Sequence, residues 1–181
     1  DASPEPADVT PYIVGGTNAS IADFPFVVAI TTPDGFQFCG GTLATPTKVV
    51  TAAHCTVGER PSDIRVVAGR TTLSSSQGVS VAVSRIWIHP DYIDATIGSD
   101  VSVLTLASSV SQSPLALASS ADSALYAAGT SATILGWGTT SEGGFASDTL
   151  KRATVPVTSN AVCSDAYFEY DSSAHVCAGF P

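Results

Sequence analysis

Residues 63–106, "DIRVVAGRTTLSSSQGVSVAVSRIWIHPDYIDATIGSDVSVLTL", hold the pattern that decides the fold. Three segments in it, "DIRVVAG" (63–69), "VSVAVSRIWI" (79–88) and "DVSVLTL" (100–106), run apolar or alternate apolar with polar. They are rich in Val and Ile, whose branched Cβ suits a pleated, half-buried surface. A period of two sends successive side chains to opposite faces, which is a strand pattern. The same pattern continues outward. Upstream, "FVVAITT" (26–32) meets a turn at Pro33-Asp34-Gly35, and "GGTLA" and "KVVTAA" follow within a few residues. Downstream, "SATILGWG" (131–138), "LKRATVPV" (150–157) and "HVCAG" (175–179) read as further strands. Only "SNAVCSDAYF" (159–168) invites a short helix, with Ser159 at its N-cap. Short strands with frequent turn signals predict an all-β barrel or sandwich.

The organisation follows from what lies between these strands. Residues 107–129 are rich in Ser and Ala, lack periodicity and read as a crossing between two halves. Residues 1–12, "DASPEPADVTPY", carry three prolines and three acids and read as an extended lead segment, with structure beginning near Ile13. No internal repeat is visible.

Composition excludes several function classes. The chain has 181 residues, 44% hydrophobic and 13% charged, enough apolar material to bury a core. Its formal charge is −9, from 7 basic and 16 acidic side chains. A nucleic-acid partner needs a basic face, so it is not expected. No run of 18 apolar residues exists, so no membrane-spanning helix is expected. The chain holds no methionine, so Asp1 is not the residue that began translation, and removal of a secretory leader would account for it. Four cysteines allow three pairings. They fall in two couples, Cys39 with Cys55 and Cys163 with Cys177, 16 and 14 residues apart. Four buried thiols would satisfy the composition, but the spacing favours two local disulfides and an oxidising, extracellular setting. Asn18-Ala19-Ser20 is an acceptor triplet for N-glycosylation and agrees with that setting.

The candidate chemistry centres on "TAAHC" (51–55). A lone histidine is more often structural than catalytic. His54, however, follows the strand "KVV", has the small Ala52 and Ala53 beside it, and precedes a cysteine able to pin its backbone. A general base needs such a fixed position. It also needs an acceptor on its other ring nitrogen. Asp100 is the candidate, since it opens an apolar strand where a carboxylate is costly without a partner. It is equally readable as a turn aspartate after Gly98-Ser99.

Taken together, the motifs resemble a known family. "IVGG" (13–16), "CGGTL" (39–43), "TAAHC" (51–55), "DVSVLTL" (100–106), "GWG" (136–138) and "CAG" (177–179) occur in the order and at intervals typical of trypsin-like serine endopeptidases. The wording "IVGGTNASIADFPFVVAI" and "GWGTTSEGG" is most similar to trypsins of filamentous fungi. The resemblance runs from Ile13 to the last residue. It implies a chymotrypsin-like pair of six-stranded antiparallel β-barrels, the first over about 13–106, the linker over about 107–129, and an incomplete second barrel over about 130–181. It implies His54 as general base and Asp100 as the buried carboxylate that fixes its tautomer. It also implies Cys39–Cys55 and Cys163–Cys177 as disulfides, polypeptide substrates cut after Arg or Lys, protein protease inhibitors as partners, and no cofactor or metal. Ile13 is implied as the activation N-terminus, its freed amino group pairing with an aspartate. Tyr12 precedes it where such precursors often carry a basic residue, so residues 1–12 read as a pro-segment and the chain as a zymogen.

One element of the resemblance is missing. The family's serine sits in a "GDSGGP"-type segment shortly beyond "CAG", and no "GDSGG" or "GxSxG" occurs in residues 1–181. His54 and Asp100 alone make an acid–base pair without a nucleophile. The expectation is a companion segment, such as a C-terminal chain, that carries the serine. The rivals are an inert protease-shaped binding protein and a secreted β-sandwich binding module. His89, in "IHPDY", reads as a surface turn and His175 as a strand residue, while Asp91 and Asp94 suggest at most a loose calcium loop.

Overall fold

The computed structural model describes residues 16–140 and 144–180. The expected pro-segment 1–12 and Ile13 lie outside the described residues. The strands are β1 (Thr17–Asn18), β2 (Val27–Thr31), β3 (Gln37–Thr45), β4 (Lys48–Thr51), β5 (Arg65–Ala68), β6 (Val79–Ile88), β7 (Ser102–Leu106), β8 (Ser131–Gly136) and β9 (Lys151–Pro156). One short helix, α1 (Asn160–Ala166), follows them.

Six of these strands close a barrel in the order β2-β3-β4-β7-β6-β5, antiparallel throughout. Closure comes from β2, which pairs with β3 on one side and β5 on the other, so neither edge is left open. The interior is filled by the alternate residues that the sequence pattern selects: Val28 and Ile30, Leu43, Val49, Val66 and Ala68, Val81 and Val83, Leu104 and Leu106. A register shift between Val83 and Arg85 re-aims the second half of β6, which is why Trp87 faces outward.

The segment "FVVAIT" runs apolar instead of alternating, and the structure gives the reason. All five residues of β2 are buried. Val28 and Ile30 face the barrel interior, while Val27 and Ala29 join Val67, Ala19, Trp137 and Leu150 in a second core outside it. That second core is the seam to a three-stranded antiparallel sheet, β1-β9-β8. Polar ties reinforce it. The Trp137 indole donates to Thr71 O at 3.0 Å, Leu150 N to Thr71 O at 2.8 Å, and Leu73 N to Asp148 O at 2.8 Å. Asp148 accepts from the Ser74 backbone N–H at 2.8 Å and from its hydroxyl at 2.6 Å.

The fold is therefore mostly β, with one closed six-stranded barrel and a partial second sheet. One expectation needs correction. "HVCAG" forms no strand; it contributes only an isolated bridge, Ala178 to Val157. The 107–129 crossing carries a 3-10 turn at Ser120–Tyr126. Ser119 caps that turn: its hydroxyl accepts from Ala121 N, and its backbone N–H donates to the Asp122 carboxylate at 2.8 Å. The expected helix is present, with the Ser159 hydroxyl accepting from Val162 N at 3.3 Å.

Candidate active site

His54 lies just past the end of β4, where Ala53 is fully buried. Thr56 and Val57 both donate backbone N–H bonds to Ala53 O at 2.9 Å, turning the chain sharply after the strand. Thr56 is buried, and its hydroxyl donates to Ser102 Oγ at 2.8 Å, while Ser102 in turn donates to Trp87 O at 2.9 Å. This buried hydroxyl chain ties the His54 turn to β7 and β6. Neither residue was singled out by sequence reasoning. A signal did exist: Ser102 shares the inward parity of Leu104 and Leu106, and a hydroxyl there demands partners.

Asp100 does not open a strand, because β7 begins at Ser102. It follows Gly98 and Ser99, both with positive φ, +111° and +57°. That reversal swings the carboxylate towards the barrel rim. The carboxylate then holds His54 twice: Oδ1 accepts the His54 backbone N–H at 2.8 Å, and Oδ2 meets Nδ1 at 2.7 Å. An ionised carboxylate only accepts, so Nδ1 carries the hydrogen and Nε2 presents a lone pair. The resemblance implied a buried carboxylate. Asp100 keeps 20% of its side chain exposed and His54 keeps 50% in residues 1–181. The nearby Tyr92 phenol is pushed up by burial, with smaller contributions from the negative charges of Asp100 and Asp94.

Cys55 is bonded to Cys39 of β3, and its Sγ lies 3.4 Å from His54 Nε2. Cys163 is bonded to Cys177. Next to Cys39, a cleft of about 470 Å³ runs between β3 and β8, lined by Phe26, Gly40, Gly41, Leu115, Leu135 and Trp137. Gly41 is required there, since a Cβ would lie 2.6 Å from Val49 Cγ1.

The remaining candidates make local contacts. His89 caps a turn, its Nδ1 accepting from Asp91 N at 3.2 Å. His175 lies in a loop and not a strand, its Nδ1 accepting from Asp171 N at 3.1 Å. Asp94 accepts from Thr96 N and Oγ1, both at 2.8 Å, and these bonds hold its carboxyl below the usual range. Asn18 is exposed on β1, and its side-chain oxygen accepts from Lys151 Nζ at 2.6 Å.

Comparisons with known proteins identify the family and the fold. A family model described as Trypsin matches residues 13–181. A trypsin of Saccharopolyspora erythraea is 60% identical over 169 residues, spanning 93% of this chain and 74% of that protein. Trypsin-1 of Astacus astacus is 36% identical over 184 residues, spanning 93% of this chain and 75% of that protein. Among solved structures, the Vibrio cholerae VesB protease matches with a TM-score of 0.82 at 30% identity, over 92% of this chain and 52% of that one. The chain thus spans about half the length of the VesB protease and about three quarters of the two trypsins.

Proposed function

Because the chain belongs to the trypsin family of serine endopeptidases, we propose that residues 1–181 supply the acid–base half of a secreted protease that cleaves peptide bonds through an acyl-enzyme. The observation that carries this reading is the two-point grip of Asp100 on His54, by backbone and by ring. It fixes the tautomer in which Nε2 is free to take a proton from a serine hydroxyl and later return it to the leaving amine. The imidazolium formed in between is stabilised by the adjacent carboxylate.

The serine itself is delivered by polypeptide outside residues 1–181, as a companion segment or chain. The absence of a "GDSGG" or "GxSxG" segment in residues 1–181 supports this. Cleavage follows Arg or Lys, and the formal charge of −9 favours approach of cationic peptides. Cutting Tyr12–Ile13 frees the Ile13 amino group and converts a zymogen into the active form. Two disulfides and the acceptor triplet at Asn18 support secretion, and among the described residues no helix is long and apolar enough to cross a membrane. Protein protease inhibitors of complementary shape are the expected regulators.

The test is labelling of the mature protein, including the polypeptide after Pro181, with an arginine-like phosphonate. Covalent labelling and hydrolysis of Arg and Lys ester substrates are expected, both lost in His54→Ala. A folded mature protein that neither labels nor hydrolyses overturns the reading in favour of an inert binding homologue.

A further inference from the structure

Among the described residues, Cys39, His54 and Cys55 place two sulfurs and one imidazole nitrogen within 4.8 Å of one another. While the sulfurs are bonded to each other they are poor donors, since a metal ligand must be a thiolate. We propose that reduction of the Cys39–Cys55 disulfide converts this corner into a site for a thiophilic divalent cation of the zinc type, held by both sulfurs and by His54 Nε2. The inference goes beyond the proteolytic reading and needs no nucleophile.

Three features prepare the site. First, the imidazole is already set as a ligand. Nδ1 is turned towards Asp100 at 2.7 Å, which leaves the Nε2 lone pair facing Cys55 Sγ at 3.4 Å. A carboxylate behind a histidine is the usual outer partner of a zinc-bound imidazole. Second, the distances fit. Zinc bonded to sulfur and nitrogen at ordinary lengths in tetrahedral geometry separates those two atoms by about 3.6 Å, and two sulfurs by about 3.8 Å. The nitrogen–sulfur spacing is nearly there, and the Cα–Cα distance of 6.2 Å lets small side-chain rotations part the sulfurs. Third, neither backbone depends on the disulfide alone. Cys39 is held in β3 opposite Ile30 of β2. Cys55 lies between two anchored residues, His54 through Asp100 and Thr56 through Ser102. The half-exposed His54 leaves a face where water completes a fourth position.

The chemistry balances simply. Two electrons from a phosphine, with water, break the S–S bond; two thiols form and the phosphine leaves as its oxide. The cation then displaces both thiol protons to solvent. Occupancy of Nε2 removes the base, so the device would couple reduction to silencing of the enzyme.

The experiment uses the full chain, reduced with a phosphine under argon, freed of reductant and titrated with cobalt(II) as the probe, then with zinc. Thiolate-to-cobalt charge-transfer absorption and the visible bands of four-coordinate cobalt are expected in the reduced protein, absent in the oxidised one and quenched by zinc. Cys55→Ser should abolish them. His54→Ala, a change at an exposed side chain, should keep the fold and weaken cobalt binding, and Asp100→Asn should weaken it about 10- to 100-fold through loss of the outer carboxylate. A reduced protein without these bands overturns the proposal. So do bands that survive in Cys55→Ser, or a cobalt affinity unchanged in His54→Ala, which would place the cation elsewhere, for instance on the thiols of Cys163 and Cys177.

Discussion

Asp100 shows how one side chain gathers a site. Its two oxygens take the amide and the ring of His54, so orientation and tautomer come from the same residue. Asp100→Asn replaces one acceptor oxygen with an NH2, which faces Nδ1 as a donor and forces the opposite tautomer. In the complete enzyme kcat should fall by about four orders of magnitude, the loss for that substitution in the reference Ser-His-Asp triad, while KM changes little. A kcat within tenfold of the parent enzyme would refute the assignment. Thr56 works at the same scale but through stability. Thr56→Val deletes the buried donor to Ser102 and should cost about 1 kcal/mol in urea unfolding, because Ser102 loses one of its two hydrogen bonds and keeps the one to Trp87 O. At this scale the sequence was partly legible. His54 stood out by its neighbours, and Asp100 became its partner only through the family resemblance. The grip between them was not legible, since it depends on the left-handed backbone at Ser99, which no composition rule demands.

At the scale of elements, periodicity was informative wherever a strand buries one face only. Val79–Val83 and Ser102–Leu106 read correctly because alternation mirrors the barrel wall, while past Val83 the register shift breaks the parity and Asp100 falls outside its strand. "FVVAIT" gave no parity because both faces of β2 are covered. "HVCAG" misled for the opposite reason: its apolar residues invite a strand, yet only Ala178 finds a bridge partner, and Val176 stays exposed. The turns impose their own demands. Gly78, at φ +73°, lies where an added Cβ would come within 2.1 Å of Ala68 O. Gly78→Ala should therefore push β5 from β6 and lower the melting temperature, whereas Gly58→Ala, with open space around it, should cost only the strain of its own φ. Equal losses for both would argue against close packing at the β5–β6 corner.

At the scale of the molecule, two interiors share one wall. Leu150 is fully buried in the outer core with Trp137, so Leu150→Ala should cost about 2–5 kcal/mol and loosen the β8–β9 sheet from the barrel. Hydrogen exchange should rise first in 131–136 and 151–156 and leave the barrel interior protected; uniform loss would mean a single cooperative unit. Asp148 adds a pH-sensitive tie across the same seam. The Ser74 hydroxyl, then its amide, hold its carboxyl below the usual range. A depressed folded value means the stabilisation is complete above the ordinary aspartate range and is lost as pH falls through the folded value. The melting temperature should therefore drop in acid, with a shallower drop in Asp148→Asn; identical profiles would remove Asp148 from that role.

The two-residue ladder of β1 on β9 pairs Thr17 with Arg152 and Asn18 with Lys151, fastening the start of the described chain onto a strand more than a hundred positions further along. Ile13 is four positions before Thr17, a leash no longer than about 14 Å when fully stretched. An acid that receives the amino group freed in the proposed activation must therefore lie within that radius of Thr17.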